Sequence, residues 1–276
     1  MIQPFLRDDA FLASVAEGRA AGDEAVRLWW LGQSGFLVHY QRSTLLLDPY
    51  LSDSLTRKYA GTDKPHVRMT ERVIAPERLE SINIITSSHG HTDHLDADTL
   101  RPLLQANPHS WIVFPAPIRE LVNERMGGPR PMSFGLRIGE SMKAGAFHVT
   151  AVPAAHEELA PEYVGYIIRV GPHVIYHSGD TLRFPHQAES LRTFGIDIAL
   201  LPINGRAPER RVAGNLDGPE AAQLAHDLRA RLVIPCHYEM FEFNTASPAP
   251  FVAECERLGQ PYRVLRAGEG CRFPAP

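Results

Sequence analysis

Residues 87–96 read SSHGHTDHLD, three histidines and two aspartates in ten residues, directly after the apolar run INIIT. This stretch constrains the fold more than any other, because a metal cage can draw only part of its ligands from one loop. His89 and His91 are two apart, and in extended backbone residues i and i+2 point to the same side, so both imidazoles can converge on one ion. Asp93 and His94 fall where the chain turns into the next helix and can face a second ion. Imidazole plus carboxylate suits Zn²⁺, Mn²⁺ or iron and needs no thiolate. The competing reading is a polar loop leading into an Asp-capped helix, and the rest of the chain decides between the two.

A catalytic ion usually has three protein ligands and an open position. Three further candidates each end an apolar run beside turn chemistry: His156 in VPAAHEE, Asp180 in YHSGDT and His237 in VIPCHYEMF. Loops at strand ends, carried on a rigid scaffold, are where functional residues collect. The fold must therefore bring several strand ends to one place. Asp48, in LLLDPY, ends a strand in the same manner.

The periodicity gives an α/β chain. Residues 4–20 have the spacing of a short amphipathic helix, an N-terminal extension within 1–22. VRLWWL, SGFLVHY and STLLLD read as three strands joined by hairpin-length turns. Residues 50–76 show no period and are too long for an idle connection, which suggests a lid or active-site loop. Strands INIITSS and WIVFP then alternate with helices ADTLRPLLQA and PIRELVNERMGG. FHVTAVPA, YVGYIIRV and HVIYHSGD follow as strands, the last two joined at Gly171-Pro172. IDIALLPIN, RLVIPCH and YRVLRA alternate with helices at 219–230 and 248–258. Strand-rich runs open each half and β-α-β alternation closes it. That pattern suits two mixed sheets packed face to face with helices outside, in one domain spanning 1–276.

The 276 residues, 44% of them hydrophobic and carrying a net charge of -4, describe an ordinary globular chain with no electrostatic footprint for nucleic acid. No run approaches the roughly 20 apolar residues of a membrane span. The N-terminus lacks a signal-peptide pattern, and three scattered cysteines argue against a disulfide framework, so a cytoplasmic location is expected. Cys236, beside His237, reads as a buried strand residue. His177 reads as a packing group, and His39, His66, His109, His148, His173, His186 and His226 as ordinary histidines.

With Asp48, HGHTDH, His156, Asp180 and His237 in this order, the chain resembles the metallo-β-lactamase superfamily. WWLGQSGFLV, HSGDT, LLPINGR, GNLDGPEAAQLA and PCHYEMF further resemble its branch containing the L-ascorbate-6-phosphate lactonase. The resemblance implies a four-layer αββα sandwich and two divalent ions, Zn²⁺ or Mn²⁺. His89, His91 and His156 would hold the first, and Asp93, His94 and His237 the second, with Asp180 bridging and Asp48 bracing the histidine loop. It is also in keeping with a homo-oligomer.

Such a pair of ions would share a water, lower its pKa from 15.7 towards ~7, and deliver a bridging hydroxide to a carbonyl or phosphoryl centre. Asp93 and Asp180 are then the catalytic carboxylates, Asp93 orienting the nucleophile and passing a proton. No Gly-Xaa-Ser-Xaa-Gly elbow is present. The expected reaction is hydrolysis of a small, anionic ester or lactone, for which the resemblance to the lactonase branch suggests a phosphorylated substrate. Phosphodiester cleavage and iron-dependent redox chemistry are the alternatives. Asn204, Arg206 and Tyr238 are expected substrate contacts. Arg206, Arg210 and Arg211 offer an anion clamp, set against a solvated loop, and the bases of residues 50–76 pose the same question.

Overall fold

The computed structural model describes every residue except Arg211 and Pro276, and Pro208 by its backbone alone. Two sheets face each other. The first has seven strands in the order β13-β1-β2-β3-β4-β5-β6, the second six in the order β12-β11-β10-β9-β8-β7. In the first, β1 (Val26–Gly32), β2 (Gly35–Tyr40) and β3 (Ser43–Leu47) form an antiparallel meander. β4 (Ile84–Thr86), β5 (Trp111–Pro115) and β6 (Ser133–Leu136) then continue in parallel from β3. In the second, β7 (Ser141–Ala144), β8 (Phe147–Ala155), β9 (Leu159–Val170) and β10 (His173–His177) are antiparallel in turn. β11 (Ile198–Pro202) and β12 (Leu232–Cys236) run parallel to β10.

Every residue of β2, β3, β10 and β11 is buried, as strands covered on both faces must be. Adjacent tryptophans show why. Trp29 points outward under helix α1 (Asp8–Ala20), where its Nε1 donates to Ser14 Oγ at 3.0 Å and Gly18 lies on its ring. A side chain at Gly18 would put its Cβ 2.7 Å from that ring. Trp30 points the other way and stacks on Tyr238, with ring centroids 4.4 Å apart. The remaining helices are short α2 (Ser54–Lys58), α3 (Ala97–Ala106), α4 (Arg119–Met126), α5 (Gln187–Arg192), α6 (Gly218–Leu228) and α7 (Ala249–Leu258). α6 packs on β11 and β12, and against α5 and α7. The mixed α/β sandwich expected from the sequence is therefore present.

Three strands were not legible in the sequence. β6 and β7 are four-residue pieces with little apolar content facing the core, and β13 (Gly270–Phe273) lies last in the chain yet pairs with β1. The expected strand over Tyr262–Ala267 does not form. Tyr262 makes one parallel bridge to Val233, after which the chain leaves the edge of one sheet to reach the other. Gly268 N then donates to Trp30 O at 2.7 Å, leading into β13.

β1, β3 and β4 share one direction, as do β8, β10 and β12. The residues after their C-terminal ends are Gln33, Asp48, the histidine loop, His156, Asp180 and His237.

Candidate metal centre

The histidine loop is bent rather than extended: β4 stops at Thr86, and the backbone N–H groups of His94 and Leu95 both donate to His91 O, at 3.1 and 2.9 Å. That turn swings Asp93 and His94 back towards His89 and His91. The far sheet pins the loop in place. Tyr166 Oη donates to Ser87 O at 2.8 Å, and Val164 N donates to Ser88 O at 3.1 Å. Beyond the loop, Asp96 caps α3, whose Leu100, Leu103 and Leu104 are buried.

Three groups of donor atoms result, each lying within 4.8 Å of one another: His89, His91 and His156; His89, His94 and Asp180; Asp93, His94 and His237. The separations between these donor atoms match those that coordination requires. Zn–N bonds of 2.0–2.1 Å at tetrahedral angles require ligand atoms roughly 3.4 Å apart. His156 Nε2 lies 3.2 Å from His91 Nδ1. Asp180 Oδ1 is 3.3 Å from His94 Nε2, and its Oδ2 is 3.3 Å from His237 Nε2 and 3.8 Å from His156 Nε2. Asp93 Oδ2 is 3.6 Å from His94 Nε2 and 3.5 Å from His237 Nε2. His89 Nε2 is buried and has no hydrogen-bond partner. This donor set fits divalent ions.

Three of the ligands are held from behind. Asp48, wholly buried, takes His94 Nδ1 at 2.8 Å, Ser88 N at 3.1 Å, Thr86 Oγ1 at 2.9 Å and the Ser88 hydroxyl. His156 Nδ1 donates to Gly214 O at 3.1 Å, and His91 Nε2 lies 3.2 Å from Glu157 Oε1. His177 stays out of the donor groups and contacts Ser34 O through Nε2 at 3.0 Å. Asp48, Gln33 and His237 have φ of 39°, 49° and 63°, left-handed values that cost non-glycine residues about 1–3 kcal/mol each and gather at functional sites.

Burial and charge divide the centre. Desolvation, then the neighbouring imidazoles, hold His89 well below its ordinary pKa, and burial lowers His156 as well, so both keep lone pairs for an ion. Burial opposes the charge on Asp93 and Asp180, but His94 and His237 outweigh it and keep both carboxyls well below their usual range. Burial likewise opposes protonation of His94 and His237. The same carboxylates overcome it, raising His94 well above its ordinary value and pushing His237 up to about 9.

The sequence reading overlooked Gln33. Its side chain is buried, and its Nε2 lies 2.7 Å from Asp93 Oδ2 and 3.0 Å from His237 Nε2. A glutamine in a tight strand turn gives no signal by itself; pairing of β1 with β2 carries it here.

A cavity of about 420 Å³ opens over His91, Asp93, His156, Asp180 and His237. The expected substrate contacts do not line it. Arg206 makes two bonds of 2.6 Å to Glu220, which belongs to the capping box of α6. Asn204 is buried between Asn215 and Asn244, at 3.0 Å from each. Tyr238 lies under Trp30 and donates to Leu265 O. Arg210 binds Asn204 O at 2.7 Å and Thr245 O at 3.1 Å. Arg211 lies outside the described residues. Segment 50–76 does reach the cavity, through Leu55, Lys58, Tyr59, Lys64 and His66.

A family model described as the beta-lactamase superfamily domain matches residues 43–238. A UPF0173 metal-dependent hydrolase of Opitutus terrae is 30% identical over 255 residues, covering 88% of this chain and 98% of the relative. The chain belongs to the metal-dependent hydrolases of the beta-lactamase superfamily. Among solved structures of this hydrolase's fold, Igni18, a metallo hydrolase from Ignicoccus hospitalis, is 24% identical with a TM-score of 0.67, covering 90% of this chain and 98% of that one. The isothiocyanate hydrolase from Delia radicum gut bacteria reaches a TM-score of 0.74 at 16% identity, over 90% and 99% of the two chains. At these identities the likeness is one of fold. Among the described residues of the hydrolase, no helix is long and apolar enough to cross a membrane. All three cysteines are free and buried.

Proposed function

We propose that this chain is a binuclear hydrolase of a small anionic ester or lactone. The observation that carries the reading is a cavity in which Asp180 lies 3.3 Å from His94 and His237 on one side and 3.8 Å from His156 on the other, below walls that include Lys58, Lys64 and Arg125. Its volume of about 420 Å³ suits a small molecule, and Leu55, Tyr59, Phe241 and Phe243 offer apolar surface for a carbon skeleton. His89, His91 and His156 would hold one ion, Asp93, His94 and His237 the other, with Asp180 facing both. Bound Zn²⁺ or Mn²⁺ would supply Lewis acidity and activate water at neutral pH. Asp93, at the cavity wall, is our candidate for orienting that water and accepting its proton. The three cations would counter a phosphate or carboxylate on the substrate.

The test is elemental analysis of the purified protein, followed by assays on esters, lactones and phosphodiesters with and without an added anionic group. We expect about two ions per chain and turnover of the anionic esters or lactones. Lys58 is exposed, so Lys58→Ala should raise KM for these by roughly 1.4- to 5-fold, the range of a solvent-screened charge, and leave neutral analogues unchanged. Preferential cleavage of phosphodiesters would reassign the substrate class, and one iron per chain with oxygen consumption would overturn the hydrolytic reading.

A further inference from the structure

We propose that His66 is a catalytic residue of this site, its Nε2 hydrogen-bonding the substrate's leaving oxygen and giving it a proton. The assignment rests on the ester hydrolysis proposed above. Among the described residues that line the cavity, His66 is the one histidine outside the three donor groups, and it stands on segment 50–76 rather than on a strand end.

The ring is held as a working group must be. It stacks on Tyr59 with centroids 4.4 Å apart and planes at 24°. Phe241 meets it edge-on at 5.1 Å, and Phe243 lies 5.4 Å away. Thr56 Oγ1 donates to His66 O at 2.7 Å and fixes the backbone. His66 Nδ1 lies 2.9 Å from Lys64 O. A carbonyl only accepts, so Nδ1 carries hydrogen and the exchangeable position is Nε2. Among the described residues no hydrogen bond engages Nε2, and it is not sealed from solvent.

The charged groups acting on the ring are Lys58, Lys64 and Asp93. Burial lowers its pKa and the lysines add to this, outweighing the Lys64 carbonyl and Asp93. The ring is therefore mostly neutral at pH 7, and its imidazolium, once it has taken up a proton, is a strong acid for the leaving oxygen. In the step, the water oxygen bonds to the acyl carbon and the acyl C–O bond breaks. The electron pair goes to the leaving oxygen, which takes the Nε2 proton. The proton that His66 delivers comes from the water, which gives it up first to Asp93, and the water's other proton is released as the product acid ionises.

The experiment uses the metal-loaded protein and its His66→Gln and His66→Ala variants, with acyclic esters of one acid whose leaving alcohols run from nitrophenol to simple alkyl alcohols. Metal content should be unchanged in both variants. The variants should lose roughly 10²–10⁴-fold in kcat on alkyl esters, the usual reach of a positioned acid, and only a few-fold on nitrophenyl esters, whose leaving group needs no proton. Added imidazole should restore part of the loss in His66→Ala. An equal loss across the series without imidazole rescue, or no loss, overturns the assignment and leaves the hydrolase reading standing. Wild-type protein that holds its metals yet cleaves no ester removes the ester reading, and this assignment with it.

Discussion

Asp48 Oδ2 and His94 Nδ1 lie 2.8 Å apart with both side chains wholly buried, joining the end of β3 to the histidine loop. The bond fixes the ring so that Nε2 faces Asp93 and Asp180. For Asp48, burial alone would raise the carboxyl, but His94, with His177 and Ser88, holds it below its usual range. Asp48→Asn should weaken metal binding about 10–100-fold, the cost of losing a ligand's outer partner. It should also destabilise the metal-free protein by about 3–5 kcal/mol, since a buried charge pair loses one member. Metal titration and denaturant melts of the two proteins check both numbers; an unchanged affinity would separate Asp48 from the metal centre.

Among the described residues, Asp180 is the one carboxylate whose two oxygens face different histidines, Oδ1 towards His94 and Oδ2 towards His237 and His156. Asp180→Ala should therefore reduce the content of both ions, and weaken binding by more than the roughly 100-fold ceiling for outer-partner losses. Elemental mass spectrometry on the purified variant reads this directly. Two ions retained per chain would show that Asp180 bridges nothing.

Gly179 prepares that carboxylate. Its φ is +59°, and a Cβ there would lie 2.7 Å from Val164 O and 2.7 Å from Ser88 Cβ. Gly179→Ala should cost roughly 2–5 kcal/mol, combining the left-handed penalty with overpacking against backbone. It should also lower metal content by moving Asp180. A melting curve superimposable on the wild type would refute the constraint.

Far from the centre, Asp23 ties the first sheet's edge strand β13 to its neighbour β1, through Arg272 on β13 at 3.0 Å and Arg27 on β1 at 2.6 Å. The Arg27 hydrogen bond, supported by Arg272, holds its carboxyl well below the usual range. A depressed folded-state pKa contributes stability that is present above the unfolded value near 3.9 and lost as pH falls through the folded one. Asp23→Asn should melt below the wild type at pH 7, and the gap should close as the pH is taken well below 3. A gap constant with pH would assign the effect to packing.

The sequence by itself determined the parts that local chemistry controls. Strand runs ending in His89, His156, Asp180 and His237, with Asp48 behind them, pointed to the candidate donor residues and the family, because apolar periodicity and ligand type are written locally. It also showed that two sheets must bring those ends together. Tertiary structure alone decided what stands around them. Arg206 reads as an anion clamp until Glu220, fourteen residues on, takes its guanidinium. Tyr238 reads as a contact until Trp30, from the opposite sheet, covers it. Gln33 carries no mark in the sequence and His66 reads as an ordinary histidine, yet one lies against Asp93 and the other lines the cavity wall. Long-range pairing and loop packing set those neighbours, and no local pattern encodes which side chain meets which across a sandwich.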